Sequence, residues 1–360
     1  MVKERIYING RFLTRPITGV ERTAYELIRA LDQIIDKQQV PDSYEYVVIY
    51  SGEIVNPITL KHIKLLKKGV LKGNAWEQFE LPVYTAGRLL VSLCTISTLF
   101  KRRQLLMVHD ASFAANPQFF PKALRKWYNF AIPILGKKVC RLITVSQFSK
   151  AELCKYFGFK PYNIDIIYNS AEHILRFGRP GEAFKKRINS LKPYVLAVSS
   201  LSANKNFRGL SEAIKQVDFK NYRMLIAGGA MKTLQQTTLD PAVVQLGYVC
   251  DAELRYLYSQ AALFVFPSFY EGFGIPPLEA MVSGCPVLAS GTSSMPEVLG
   301  DACEFFDPDK TGTLALKLSA LLNDGHRLEA LKLKGQERAS LYNWNTSAIK
   351  LYRLIEQYVS

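Results

Sequence analysis

Residues 263–290 read LFVFPSFYEGFGIPPLEAMVSGCPVLAS. The apolar run LFVF, closed by Pro and Ser, has the length and composition of a buried strand. FYEGFGIPP then reads as a loop, LEAMVSG as a helix and PVLAS (286–290) as another strand. Strand, loop, helix and strand in this order make a parallel βαβ unit, and this unit sets the fold class. In open parallel sheets, ligands sit beyond the carboxyl ends of the strands, which is where this loop lies. Gly272 and Gly274 permit a positive φ or a close backbone approach. Pro276 and Pro277 suit the first turn of a helix, whose N-terminus carries free N–H groups and a partial positive charge. Glu279, inside the first turns, can accept two hydrogen bonds from a ribose diol, and Glu271 in the loop can reach further hydroxyls. The spacing therefore fits recognition of a sugar joined to a nucleotide. It fits equally a plain strand–turn–helix whose acids satisfy the helix dipole. Glu297, in the GTSSMPEVLG stretch that follows (291–300), reads as a helix cap before a ligand group.

Outward from this unit the same alternation continues. RIYIN (5–9), YEYVVIY (44–50), LLMVHD (105–110), RLITVS (141–146) and IDIIYN (164–169) read as strands of a first half. GVERTAYELIRALDQII (19–35) places Val20, Ala24, Leu27, Ile28, Leu31 and Ile35 at helical spacing. Residues 170–193 mix charge, Gly and Pro and read as a linker with a short helix. A second series follows: YVLAVSS (194–200), RMLIAGG (223–229), VVQLGYV (243–249), a helix from Asp251 to Ala261, and helices over 310–358. The expected architecture is α/β, with two doubly wound, Rossmann-like domains facing a cleft. The first spans 1–175 and the second 190–340, and a helix over 341–360 can cross back to the first. GRLLVSLCTISTLF (87–100) is too short and too rich in Ser, Thr and Cys for a spanning helix, and reads as a buried strand with its loop.

Charge is unevenly placed in the 360 residues. The net charge is +15, and residues 1–190 carry 30 Lys and Arg against 15 Asp and Glu, so the first half holds all of the excess. Such a half faces an anionic partner, or else is a solvated basic surface. The six cysteines are scattered with no C-x-x-C pair, and the four histidines form no metal-ligand spacing. This excludes a zinc-ribbon or disulfide scaffold and leads to the expectation of reduced thiols in a cytoplasmic chain. MVKERIYING has no apolar stretch of signal-peptide length. No nucleic-acid motif appears.

FPSFYEGFGIPPLEAMVSGCPVLASGTSSMPEVLGDA (266–302) resembles the signature of family 4 retaining glycosyltransferases of the GT-B fold. The resemblance covers most of the chain. LGYVCDAELRYLYSQA (246–261) resembles the strand, base-contacting loop and helix before that signature, and VSSLSANKNFRGLSEA (198–213) its phosphate-binding segment. TGVERTAYELIRAL (18–31) resembles the N-terminal glycine loop and helix. VHDASF (108–113) and VSQFSKAEL (145–153) resemble two landmarks of the N-terminal domain.

The resemblance implies a catalytic set of His109, Glu271 and Lys205. It implies donor binding by Gly19, Ser200, Lys205, Tyr248, Glu271, Glu279 and the backbone around Phe273, Gly274 and Ile275. Glu279 would bind the nucleotide ribose, Lys205 the diphosphate, and Glu271 and His109 the donor sugar. Many relatives carry a second basic residue in the phosphate segment. This chain has Ser199, Ser200 and Asn204 there, which shifts the diphosphate onto Lys205, N–H groups and hydroxyls. No metal and no cofactor beyond the nucleotide-sugar substrate is expected. The implied reaction moves a hexose, with mannose or rhamnose favoured, to a saccharide acceptor. That acceptor is expected to be lipid-linked, at the inner face of a bacterial membrane, in surface polysaccharide or O-antigen synthesis. LKHIKLLKKGVLKG (60–73), KRR (101–103) and KALRKWYNFAIPILGKK (122–138) mix cations with apolar residues, as an anionic membrane surface requires. The rival readings are a nucleotide-sugar epimerase or phosphorylase on the same fold, and a non-catalytic anion-binding partner.

Overall fold

A computed structural model describes residues 3–199, 203–219, 222–228 and 243–359. The chain divides into two compact units, one of Met1–Asn169 with Asn343–Ser360 and one of Ser170–Tyr342. Both are built on parallel sheets.

In the first unit, β1 (Glu4–Asn9), β2 (Tyr44–Tyr50), β3 (Lys64–Lys67), β4 (Leu90–Ser92), β5 (Gln104–Met107), β6 (Arg141–Thr144) and β7 (Ile164–Ile166) lie in the order β3-β2-β1-β4-β5-β6-β7. The central strands bury both faces, as parallel sheets require, and so read as unbroken apolar runs. The helix Gly19–Asp36 starts at a capping box between Thr18 and Glu21 and buries a stripe of Leu27, Ile28, Leu31, Ile34 and Ile35. β3 and residues 73–84 escaped the sequence reading. β3 is a lysine-flanked edge strand with no buried face, so it carries no apolar alternation. Residues 73–84 form a short helical turn, a π turn over Trp76–Glu80 and a further turn, Leu81–Tyr84.

The second sheet holds β8 (Tyr194–Ser199), β9 (Arg223–Gly228), β10 (Val243–Gly247), β11 (Leu263–Phe266), β12 (Val287–Ser290) and β13 (Glu304–Phe306). Their order among the described residues is β10-β9-β8-β11-β12-β13. Its core joins Val195, Ala197, Leu210, Met224, Val265 and Leu288 with apolar residues of the helices Phe207–Ile214 and Thr311–Leu322.

The unit boundaries differ from the expected ones for a local reason. Residues 170–175 belong to the second unit, because Ser170 Oγ donates to Tyr342 O at 2.8 Å and His173 is fully buried against Glu279. The helix Trp344–Val359 returns to the first unit. There Ser347 Oγ donates to Tyr168 O at 2.6 Å and Tyr352 Oη to Pro41 O at 3.0 Å. No described helix is long and apolar enough to cross a membrane.

Candidate functional site

In the second sheet the chain steps outward from β8 through β9 to β10, then returns to β11 on the other side of β8. The direction of travel thus reverses between β8 and β11, which is where an open parallel sheet leaves a crevice at the carboxyl ends of its strands. Lys205 ends the turn Ala203–Lys205 after β8, and Glu271 lies in the loop after β11. The structure brings them together, with Lys205 Nζ donating to Glu271 Oε1 at 2.5 Å. Both side chains stay partly accessible, at 22% and 14%. Lys205 Nζ also lies 5.6 Å from the Phe266 ring centroid. Asn204 joins the two loops, accepting from Phe269 N at 2.8 Å and donating its Nδ2 to Tyr270 O at 3.5 Å.

The hydroxyl cluster after the acids has a structural task. Ser290 Oγ donates to Ser268 O at 2.5 Å, Thr292 Oγ1 to Phe269 O at 3.1 Å and Ser294 Oγ to Glu271 O at 2.9 Å. Ser293 Oγ accepts from Glu271 N at 3.0 Å. These side chains hold the backbone of the acid-bearing loop, so Glu271 is presented by a fixed frame.

Gly274 caps the helix Ile275–Val282 at φ +90°, a left-handed conformation that admits glycine without strain. Pro276 and Pro277 occupy the first turn. Phe273 and Ile275 are buried, and the Phe273 ring meets Tyr342 edge-on at 5.4 Å. Their side chains anchor the turn, and only their backbone is suited to a ligand. Glu279 follows on the same helix, 7% exposed. Its Oε1 lies 2.9 Å from His173 Nε2, and its Oε2 accepts from Tyr258 Oη at 3.2 Å. Burial and the neighbouring Glu279 push the Tyr258 phenol well above its ordinary value, so it remains a donor. His173 and Tyr258 were invisible in the sequence. His173 lies in the stretch read as a linker, and its acidic partner stands 106 residues away.

The remaining expected residues separate. Tyr248, expected near a base, is 88% exposed. Ser200 lies outside the described residues. Glu297 sits in the first turn of Met295–Leu299, where its charge suits the helix dipole. Gly19 and His109 belong to the first unit. There the change of direction falls between β1 and β4, and Gly19 opens the helix after β1. A Cβ at Gly19 would meet nothing within 4 Å, so packing within the unit does not require a glycine. His109 is buried behind the loop after β4, with Nε2 2.8 Å from Leu93 O. A carbonyl can only accept, so Nε2 carries the proton and Nδ1 the lone pair. Burial lowers the pKa of this ring, against the pull of Leu93 O, Asp110 and Glu21, so it is neutral. Beside β1, the buried Glu77 accepts from Asn9 Nδ2 at 2.7 Å and pairs with Arg11. Among the described residues, no three His, Cys, Asp or Glu side chains gather as metal ligands.

The basic stretches are less free than their sequence suggests. Lys64 pairs with Glu45 at 2.8 Å and Lys67 with Glu53 at 3.4 Å. Lys101 is buried and donates to Thr85 O at 2.6 Å, while Arg103 reaches Glu4 at 3.3 Å. Of KRR (101–103), only Arg102 is exposed.

Residues 179–338 match the family model described as "Glycosyl transferases group 1". The chain is 30% identical to the O-antigen chain mannosyltransferase B of Escherichia coli over 271 residues, covering 70% of this chain and 71% of that protein. It is 28% identical to the O-antigen chain mannosyltransferase RfbU of Salmonella typhimurium over 299 residues, 80% of each. Among solved structures it resembles the sucrose-phosphate synthase of Thermosynechococcus elongatus, with TM-score 0.76, 18% identity and 99% of each chain covered. It also resembles WaaG, a glycosyltransferase involved in lipopolysaccharide biosynthesis, with TM-score 0.70, 16% identity, and 98% of this chain and 99% of that one covered.

Proposed function

The chain belongs to the group 1 glycosyl transferases, and from that premise we propose that it transfers mannose from GDP-mannose to a hydroxyl of a lipid-linked saccharide in surface polysaccharide synthesis. The observation that carries the reading is the Lys205–Glu271 pair in the crevice after β8 and β11, with Glu279 one helix turn beyond. Mannose is favoured because both relatives described above are mannosyltransferases by name.

In this reading Glu279 accepts hydrogen bonds from the ribose diol. His173 and Tyr258 each occupy one of its oxygens, and a carboxylate has about four lone-pair sites, so acceptor capacity is left for the two hydroxyls. The backbone at 273–275 and the start of the helix hold the sugar hydroxyls or phosphate. Lys205 exchanges Glu271 for the diphosphate, which gains charge as the bond from its oxygen to the anomeric carbon breaks. Stabilisation that grows along this coordinate is the electrostatic type of catalysis. Because Lys205 supplies the cation, the reaction needs no metal. Glu271 binds the donor sugar and Tyr248 serves the base. The acceptor hydroxyl forms the new bond to the anomeric carbon with retained configuration, and its proton passes to the departing diphosphate oxygen. The enzyme works peripherally at a cytoplasmic membrane face, where a lipid-linked acceptor is presented.

A donor-turnover assay over GDP-mannose, UDP-glucose, UDP-galactose, UDP-N-acetylglucosamine and dTDP-rhamnose tests this. GDP-mannose is expected to be consumed fastest, with mannose released to water in the absence of acceptor. Consumption of another donor alone overturns the sugar assignment. Interconversion of free nucleotide sugars without release would establish an epimerase.

A further inference from the structure

The first unit presents an apolar platform that its own packing does not explain. Phe79 and Phe100 stack at 6.2 Å between centroids, 28° from parallel, and are 63% and 69% exposed. Val83 lies beside them at 68% exposure, and together with Gln78 and Pro82 they line a shallow groove of about 490 Å³. Two elements converge to build it. Phe79 belongs to the π turn Trp76–Glu80, and Val83 stands four residues on, on the same face. Phe100 comes from the loop before β5. A π turn is a local irregularity that recurs at functional sites. Here it buries Trp76, Glu77 and Gln78 while Phe79 points out.

The charges around the platform are sorted by sign. The segment's acids turn inward: Glu77 is buried on Asn9 and Arg11, and Glu80 accepts from the N–H groups of Val70 and Leu71 at 3.1 Å. Of the cations nearby in the chain, Lys101 is buried and Arg103 pairs with Glu4, while Lys138, Lys68 and Arg102 are exposed. Lys138 Nζ is held 3.3 Å from Leu99 O, one residue before Phe100 in the chain, and Lys68 Nζ lies 4.7 Å from the ring centroid of Tyr84, one residue after Val83 in the chain. Exposed Arg102 follows two residues after Phe100. Exposed aromatics with a cationic rim and inward acids complement an anionic lipid surface, where rings enter the headgroup boundary and cations meet the phosphates.

We propose that the Phe79–Val83–Phe100 platform, with Lys68, Arg102 and Lys138, is the surface by which this enzyme docks on an anionic bilayer. This rests on the reading that the acceptor is lipid-linked. It moves the contact away from Lys64 and Lys67, which have Glu45 and Glu53 as acidic partners, Glu45 being shared with Arg5.

Co-sedimentation of the full chain with phosphatidylglycerol–phosphatidylethanolamine vesicles, and with phosphatidylcholine vesicles, tests it. The wild type is expected on the anionic vesicles only. The Phe79→Ser/Phe100→Ser variant is expected to bind them at least about tenfold more weakly. Lys68→Gln/Arg102→Gln/Lys138→Gln is expected to do the same and to lose most of its salt dependence. Lys64→Gln/Lys67→Gln is expected to bind as wild type. GDP-mannose turnover in solution should be unchanged in all three. Undiminished vesicle binding by the phenylalanine variant overturns the proposal, as does equal binding of the wild type to neutral vesicles. Wild-type self-association in sedimentation velocity that the phenylalanine variant abolishes, without vesicle binding, would assign the platform to a second copy instead. Absence of GDP-mannose turnover in the wild type would count against the proposed function alone, because the vesicle measurement uses no donor.

Discussion

Replacing Glu279 by Gln separates what this residue does for the ligand from what it does for the fold. Alanine is a poor probe here. It would leave the fully buried His173 without its carboxylate and Tyr258 Oη without an acceptor, at about 1–3 kcal/mol for each unsatisfied group. Glutamine keeps the volume. Its carbonyl can face His173 Nε2–H, and its NH₂ can donate to Tyr258 Oη once that hydroxyl rotates, so both internal contacts survive as neutral hydrogen bonds. The fold then loses charge assistance, about 1 kcal/mol per bond, and the rotated Tyr258 O–H gives up its acceptor, at about 1 kcal/mol more. The ribose diol loses as well: both of its bonds become neutral and one hydroxyl meets an N–H in place of a carboxylate oxygen. A loss of about 2 kcal/mol in donor binding follows, roughly thirtyfold in Kd. Calorimetry with GDP, which carries the ribose without the sugar, should show the same loss as GDP-mannose. Urea unfolding should show a stability change within about 3 kcal/mol. An unchanged Kd for GDP would refute the ribose assignment. A large stability loss with an unchanged Kd would make Glu279 a buried structural acid.

Three further outcomes follow from the geometry. Lys205→Ala should lower turnover at saturating donor by about a hundredfold, the scale of one lost charge-stabilising group; a raised KM with unchanged kcat would show that the lysine only binds. Gly274→Ala should cost at least about 1–2 kcal/mol through its positive φ, with a further cost for repacking the fully buried Met295, whose methyl a Cβ would meet at 2.4 Å. A loss below about 0.5 kcal/mol in urea unfolding would contradict the strained cap. His109 has a folded pKa below its ordinary value of 6.5, so as pH falls through 6.5 the unfolded chain takes a proton that the folded ring refuses, and stability drops. The wild type should therefore lose more stability than His109→Gln between pH 7.5 and 5.5, by up to about 1.4 kcal/mol per pH unit below 6.5. An equal loss in both would show that the ring protonates freely.

The sequence by itself determined the class of fold and the loops that matter. Parallel strands buried on both faces read as apolar runs, so β1, β2, β5, β6 and the inner strands of the second sheet stood out, as did the Gly- and Pro-marked turn before Glu279. β3 did not, because an edge strand has no buried face to advertise. The roles expected of Lys205, Glu271 and Glu279 came from the family resemblance, since spacing alone fitted a plain strand–turn–helix equally well. Their partners were not legible. The Lys205–Glu271 pair spans 66 positions, and His173 reaches Glu279 over 106. The sequence also counted Lys64, Lys67 and Lys101 as free cations, whereas two have acidic partners and one is buried. Phe79 and Phe100, ordinary apolar residues in a linear reading, meet only because a π turn and a neighbouring loop place them side by side. Periodicity and composition are properties of neighbours along the chain, and they decide local structure. Which charge is neutralised, which ring is left in water and which carboxylate is held from behind depend on groups far apart in sequence, and only the tertiary structure decided these.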